Sequence, residues 1–267
     1  MKKKCLIAGL PDAGKSTYLG ALSYMLSNPA KDQKIVYDTT PDDMSYLNRL
    51  SRAWLSQKKV DRTVSNQVND LSLSLKLTSE NIVLDVELPD IAGENFESIV
   101  QRDSEVVLSW RNDADSMLYF INQFDNSPLS EAFGEEGVKD EGNSRLPTFS
   151  LQDISKDIKN IILIKELKNL FGWKKMAVGI SSWDLYKDEF DSPGTLMRER
   201  SPFMYNFLNH NFPDSLIFGV SAQGGDYEGM NSEEMIERTK KGKRAYVCLD
   251  KKQVFDITLP LEFLIKE

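Results

Sequence analysis

Gly9-Leu10-Pro11-Asp12-Ala13-Gly14-Lys15-Ser16 satisfies the pattern G-x-x-x-x-G-K-[ST] at every fixed position. It begins where the short apolar run Lys4 to Ala8 ends. It finishes where Lys15 to Leu26 places Tyr18, Leu19, Leu22, Met25 and Leu26 at helical spacing. A strand, a glycine turn and a helix in that order aim backbone N–H groups and the positive end of the helix dipole at phosphate oxygens. Gly9, Asp12, Ala13, Gly14, Lys15, Ser16 and Thr17 are therefore the candidate phosphate cradle. Lys15 would bridge the terminal phosphates and stabilise transferred charge, and Ser16 would offer a hydroxyl to Mg²⁺, a hard ion that prefers oxygen.

Outward from this loop, strand and helix patterns alternate. Pro41 to Ser56 reads as a helix through Met44, Leu47, Leu50, Ala53 and Trp54, with Thr40 placed to cap it ahead of Pro41. A basic polar link follows, from Gln57 to Asn69. Leu71 to Leu77 alternates strictly, as a strand with one buried face does, and Ile82 to Leu88 should pair with it. Ser116 to Ile121, Met176 to Ile180 and Leu216 to Val220 are continuous apolar runs, the pattern of strands covered on both faces. Asn95 to Arg111, Leu151 to Phe171 and Leu196 to Phe212 read as helices. The sum is an α/β fold in three layers, α/β/α, around a mostly parallel six-stranded sheet with one antiparallel strand.

The length of 267 residues supports a full core without disulfides, and the expectation is one domain over 1–267. The stretch 123–150 carries six acids against Lys139 and Arg145, with three glycines and two prolines, and reads as an acidic surface insertion. Residues 224–267 form a C-terminal extension. The net charge of −8 argues against nucleic-acid binding through bulk electrostatics. No apolar run approaches 18 residues, and the apolar stretch after Met1-Lys2-Lys3-Lys4 is too short for a secretory signal. The expectation is a cytoplasmic protein without membrane contact. Cys5 and Cys248 read as buried reduced thiols, the single His210 as a solvent-facing helical residue, and the basic run Lys240 to Arg244 as a solvated loop.

Further motifs stand at strand ends. Asp90-Ile91-Ala92-Gly93-Glu94 follows Ile82 to Leu88, Ser181-Ser182-Trp183-Asp184 follows Met176 to Ile180, and Ser221-Ala222-Gln223 follows Leu216 to Val220. In order and placement these residues resemble the Ras-like GTPases of the P-loop class, over roughly Lys4 to Gln223. That resemblance implies a guanine-nucleotide switch taking GTP or GDP with Mg²⁺ and hydrolysing GTP through positioning and electrostatics. It implies that Asp90 holds the metal through water, that Gly93 meets the γ-phosphate, and that Asp184 accepts the N1 and N2 protons of guanine. Ser221, Ala222 and Gln223 would support the base from the other side. Two departures stand out. The family's Lys over the base is Ser182 here and its Asn or Thr is Ser181, with Trp183 as a candidate cover for the pocket.

The family's switch threonine maps best to Thr63, which would bind Mg²⁺ and the γ-phosphate, with Thr39 and Thr40 as rivals. Arg62 beside it is either an arginine finger in cis or a solvated side chain. Glu94 stands where many relatives carry the Gln that orients water, and its charge near the γ-phosphate implies slow turnover. Asp12 resembles the aspartate of translational GTPases that holds a monovalent cation. Phe96, Ile99 and Val100 are either an effector surface responsive to nucleotide or a core face.

The D-x-x-G-E sequence before Phe96, the S-x-W-D variant and the terminal Leu259-Pro260-Leu261-Glu262-Phe263-Leu264 are similar to the prokaryotic double-GTPase proteins, associated with bacterial conflict and defence systems. That likeness implies a switch component with separate protein partners. Two other readings stay open: a pseudo-GTPase that binds without turnover, and a P-loop nucleoside or metabolite kinase. The kinase reading predicts an arginine-rich lid, and the sequence shows no dense arginine lid after the fourth strand.

Overall fold

A computed structural model describes residues 2–31, 33–58, 71–80, 82–88, 114–122, 124, 155–225 and 232–266. Among the described residues nine strands form one sheet: β1 (Lys2–Gly9), β2 (Ile35–Thr39), β3 (Leu71–Leu77), β4 (Ile82–Leu88), β5 (Ser116–Ile121), β6 (Lys175–Ser181), β7 (Leu216–Ser221), β8 (Tyr246–Leu249) and β9 (Lys252–Val254). Their order is β2-β3-β4-β1-β5-β6-β7-β8-β9. β1 pairs in parallel with β4 and β5, and β5, β6 and β7 continue in parallel. β3 runs antiparallel to β4, so the six expected strands are present with their one antiparallel member.

The expectation of six strands is nevertheless too low. β2 adds an antiparallel strand beyond β3, and the β8–β9 hairpin adds two beyond β7. These three strands are five residues or fewer and lie at the sheet's margins, where pairing with a neighbour rather than a long apolar run creates the strand.

Seven helices are present among the described residues: α1 (Lys15–Ser27), α2 (Ser45–Leu55), α3 (Lys156–Phe171), α4 (Pro193–Arg200), α5 (Pro202–Asn211), α6 (Ser232–Lys240) and α7 (Leu259–Ile265). Two of them correct the sequence reading. The run read as one helix from Leu196 to Phe212 is two, broken at Ser201, because Pro202 disfavours helical backbone before it and suits the first position of a new helix. Helix α2 starts at Ser45, not Pro41, with Asp43 Oδ1 accepting from the Ser45 N–H at 2.7 Å. Thr40 therefore caps nothing.

Alternating strand residues feed two cores, which makes three layers. Cys5, Ile7, Leu118, Phe120 and Phe218 face α1, α2 and α7. Leu6, Met117, Tyr119, Met176, Val178 and Ile180 face α3, α4 and α5. Leu163 and Ile164 of the apolar run in α3 are fully buried here. Leu73, Leu75 and Leu77 are fully buried while Ser72 is exposed, as the alternation of β3 requires. Both cysteines are free and buried, and His210 is exposed near the end of α5. No helix among the described residues is long and apolar enough to cross a membrane.

Candidate nucleotide site

The glycine turn joins β1 to α1 at the carboxyl edge of the central strands, the side of an open α/β sheet where ligands bind. Gly14 has φ +88°, and a Cβ built there would stand 2.5 Å from Ser181 Oγ. A glycine is required on both counts. Asp12 also takes a left-handed backbone, with φ +60°, a region that aspartate enters more readily than most side chains. The Gly14 carbonyl accepts the first helical bond from the Tyr18 N–H at 2.9 Å. The first N–H groups of an α-helix have no acceptor within the helix, which makes the start of α1 suited to an anion. Ser16 and Thr17 occupy that first turn, half-buried. Lys15 Nζ donates to the carbonyls of Gly9 at 2.7 Å and Leu10 at 2.9 Å, so the ammonium lies inside the curve of the loop.

Two strand ends brace this turn from one side. Asn122, one residue past β5, donates from Nδ2 to the Asp12 carbonyl at 3.1 Å. Ser181, the last residue of β6, donates from Oγ to the Ala13 carbonyl at 2.6 Å while only 6% exposed. The short side chain of Ser181 thus reaches the loop directly. Asn122 went unread in the sequence, although its place directly after a strand adjacent to β1 was the available signal.

Past Ser181 the chain enters a 3₁₀ turn, Trp183–Leu185, through Ser182 at φ +54°. That turn presents Asp184. Ser221 Oγ, fully buried at the end of β7, donates to Asp184 Oδ1 at 2.5 Å and accepts from the Gly224 N–H at 3.2 Å. The carboxylate is thus held in place from behind, and Ser221 acts on it directly. Tyr246 of β8 lies opposite Ser221 in the register. Burial, together with the charge of Asp184, pushes its hydroxyl up to about 12, so it stays protonated beside the carboxylate.

A cavity of about 220 Å³ collects these parts. Gly14 and Thr17 line it from the start of α1, Ser182 and Asp184 from the end of β6, and Ala222 and Gln223 from the end of β7. A larger cleft, about 700 Å³, begins on the other side of Asp184 and runs between α6 and the β8–β9 hairpin. Three separated stretches of sequence thereby meet around one space.

Other expectations fall elsewhere. Trp183 does not cover the pocket: it is 2% exposed and sits so close to β7 that a Cβ on Gly219 would be 2.5 Å from its ring. Thr39 and Thr40 lie exposed at the end of the edge strand β2, three strand positions from β1, or about 14 Å at ordinary strand spacing. In the basic run 240–244, Arg244 is buried, with 2% exposure, where the solvated-loop reading had placed it in water. Arg62, Thr63, Asp90, Gly93, Glu94, Phe96, Ile99 and Val100 lie outside the described residues, as do the helix expected over 95–111 and nearly all of the acidic stretch 123–150 and the basic link. Among the described residues no cluster of three His, Cys, Asp or Glu side chains is arranged to hold a metal. Of the expected Mg²⁺ donors only Ser16 is described, and its hydroxyl at the first turn of α1 is chemically suited to that ion.

No curated protein matches the chain. Among solved structures it is similar to Sup35 complexed with GDP, at 14% identity over 84% of this chain and 38% of that one, with a TM-score of 0.39. Roco2 RocCORdC of Methanosarcina barkeri bound to GDP matches at 12% identity over 95% and 52%, with a TM-score of 0.38. The Ski7 GTPase-like domain of S. cerevisiae bound to GTP matches at 15% identity over 84% and 44%, with a TM-score of 0.45. The chain therefore spans between about two fifths and half of those structures' lengths. The family model that covers nearly the whole sequence is Double-GTPase 1, matched over residues 6–264, and the chain belongs to that family.

Proposed function

We propose that this chain binds GTP and GDP in the cavity between the 9–16 turn and Asp184, and that it hydrolyses GTP to GDP and phosphate. The observation that carries the reading is the joint lining of one cavity by Gly14 and Thr17 on one side and Asp184 and Ala222 on the other. A purine nucleotide needs both ends. The helix N-terminus and Lys15 would take the phosphates, once Lys15 exchanges its loop carbonyls for phosphate oxygens. The fixed carboxylate of Asp184 accepts two parallel N–H bonds, which guanine offers through N1 and N2 and adenine does not.

Mg²⁺ when bound would neutralise phosphate charge, held by Ser16 with Thr63 and Asp90. Glu94 would orient water and Arg62 would offset the charge. With a carboxylate in place of an amide near the γ-phosphate, turnover is slow and regulated by a protein partner acting on the switch segments. We extend the reading to a switch component of a bacterial defence system, the setting associated with the double-GTPase likeness of the sequence. A non-hydrolysing binding module is the second reading, favoured by Ser182, whose short side chain cannot lie over the base as a lysine does.

Phosphate release with GTP or ATP as substrate, for the unmutated chain and for Lys15→Ala, tests the proposal. Slow release from GTP that disappears in the variant is expected. Equal release from ATP contradicts the guanine assignment, and nucleotide binding without any release selects the second reading.

A further inference from the structure

The loop after β7 is held from outside the cavity by an arrangement that nothing in the nucleotide-binding sequence pattern requires. Three successive carbonyls each accept a bond from a side chain on a different part of the fold. Ala222 O receives Trp54 Nε1–H of α2 at 2.7 Å, Gln223 O receives Arg244 Nε–H at 3.0 Å, and Gly224 O receives Arg238 Nη1–H of α6 at 3.3 Å. The first two donors are themselves joined. Arg244 Nη2 donates to the Trp54 carbonyl at 2.6 Å, and its guanidinium carbon stands 3.9 Å from the centre of a Trp54 ring. Both side chains are 2% exposed. A guanidinium this deeply buried is costly to desolvate, and the two carbonyls and the aromatic face are among the groups that offset that cost. The Gly224 backbone, at φ +88°, passes so near that an added Cβ would be 2.4 Å from the Arg244 carbonyl.

We propose that Trp54 and Arg244 are positioning residues for guanine recognition, which lock the 222–224 loop and through it the carboxylate of Asp184. The inference rests on the reading of that loop and Asp184 as the base site. The route is explicit. Because a peptide unit is planar and trans, holding the Gln223 carbonyl also aims the Gly224 N–H. That N–H donates to Ser221 Oγ at 3.2 Å, which leaves the Ser221 proton for Asp184 Oδ1 at 2.5 Å. Trp54 also meets Tyr24 of α1, with ring centres 5.2 Å apart. The helix that begins at the phosphate turn and the loop that supports the base are thus clamped to a single side chain.

The test uses Trp54→Phe, which keeps a ring and removes one donor, and Arg244→Lys, which keeps the charge and removes the planar fork. Three quantities are read on the full chain: dissociation of labelled GDP, preference for GDP over inosine diphosphate, which lacks the 2-amino group, and affinity for inorganic tripolyphosphate, which engages the phosphate turn alone. GDP dissociation about tenfold faster is expected in each variant, with reduced preference over inosine diphosphate and unchanged tripolyphosphate affinity. Unaltered GDP dissociation overturns the proposal, and so does a loss shared equally by GDP and tripolyphosphate, the mark of general destabilisation. Failure of the underlying reading looks different: the unmutated chain itself would show no preference for GDP over inosine diphosphate. Hydrogen exchange on the unmutated chain needs no variant to fold. GDP should slow exchange at residues 52–57 together with 222–225, and slowing confined to 222–225 overturns the coupling.

Discussion

Ser181→Ala removes one oxygen atom from the structure and should disable the brace under the phosphate turn. The hydroxyl is buried, and its bond to the Ala13 carbonyl, at 2.6 Å, fixes the peptide unit that also carries the Gly14 N–H. Alanine leaves that carbonyl buried without this donor, and leaving a buried group unpaired costs about 1–3 kcal/mol. Near the middle of that range, about 2 kcal/mol, the melting temperature of a chain this size falls by roughly 4–8 °C. The empty loop is then free to relax. Part of the same cost reappears when a nucleotide must rebuild the cradle, and a share of 1.4 kcal/mol weakens GDP binding about tenfold. Differential scanning calorimetry and titration with labelled GDP measure the two effects. A variant that melts and binds as the unmutated chain does would refute the reasoning, because Ser181 would then not be what holds the turn.

Gly219→Ala should force Trp183 out of its seat against β7, since the new Cβ would stand 2.5 Å from the indole, and should lower the urea midpoint by an equivalent of about 1–3 kcal/mol; an unchanged midpoint would show that Trp183 is not locked in the core. Gly14→Ala meets both a steric contact and a left-handed backbone and should abolish measurable GDP binding in the same titration. Glu262 contributes to acid stability. Burial opposes its ionisation, but the bonds and charges of Lys266 and Lys34 outweigh it and hold the carboxyl below the ordinary glutamate value. Its contribution is therefore present above about pH 4.3 and lost as pH falls through the lower folded value. Melting curves across that window should drop more steeply for the unmutated chain than for Glu262→Gln, and parallel curves would refute the assignment.

Much of this fold was legible because its central elements carry local signals. The alternation of β3 and the continuous apolar strands β5, β6 and β7 each declare their burial. The phosphate turn is a contiguous motif whose glycines answer to backbone geometry. The margins were harder. Lys252–Val254 is three residues long and mostly exposed, so only its pairing with β8 makes it a strand. Pro202 did announce a break that the apolar periodicity around it obscured. The order of motifs pointed to Asp184, Ser221 and Ala222, and the structure brings Asp184 and Ala222 to one cavity with Ser221 bonded to Asp184, but that order gave no sign of Trp54 and Arg244 behind them. Trp54 reads as one apolar position of an amphipathic helix, and its indole bond to Ala222 spans 168 residues of sequence. Arg244 is hidden in a run of basic residues that composition assigns to water, and its bond to the Trp54 carbonyl spans 190 residues of sequence.

The most direct test of the central claim is competition against labelled GDP by GTP, ATP and XTP, for the unmutated chain and for Asp184→Asn. A carboxylate that reads N1 and N2 makes GTP the only effective competitor in the unmutated chain. The amide should weaken GTP by two orders of magnitude or so, about 3 kcal/mol for a lost charge-assisted pair, and shift preference toward XTP. Equal competition by ATP, or an Asp184→Asn variant that still prefers GTP over XTP by the original factor, would contradict the account.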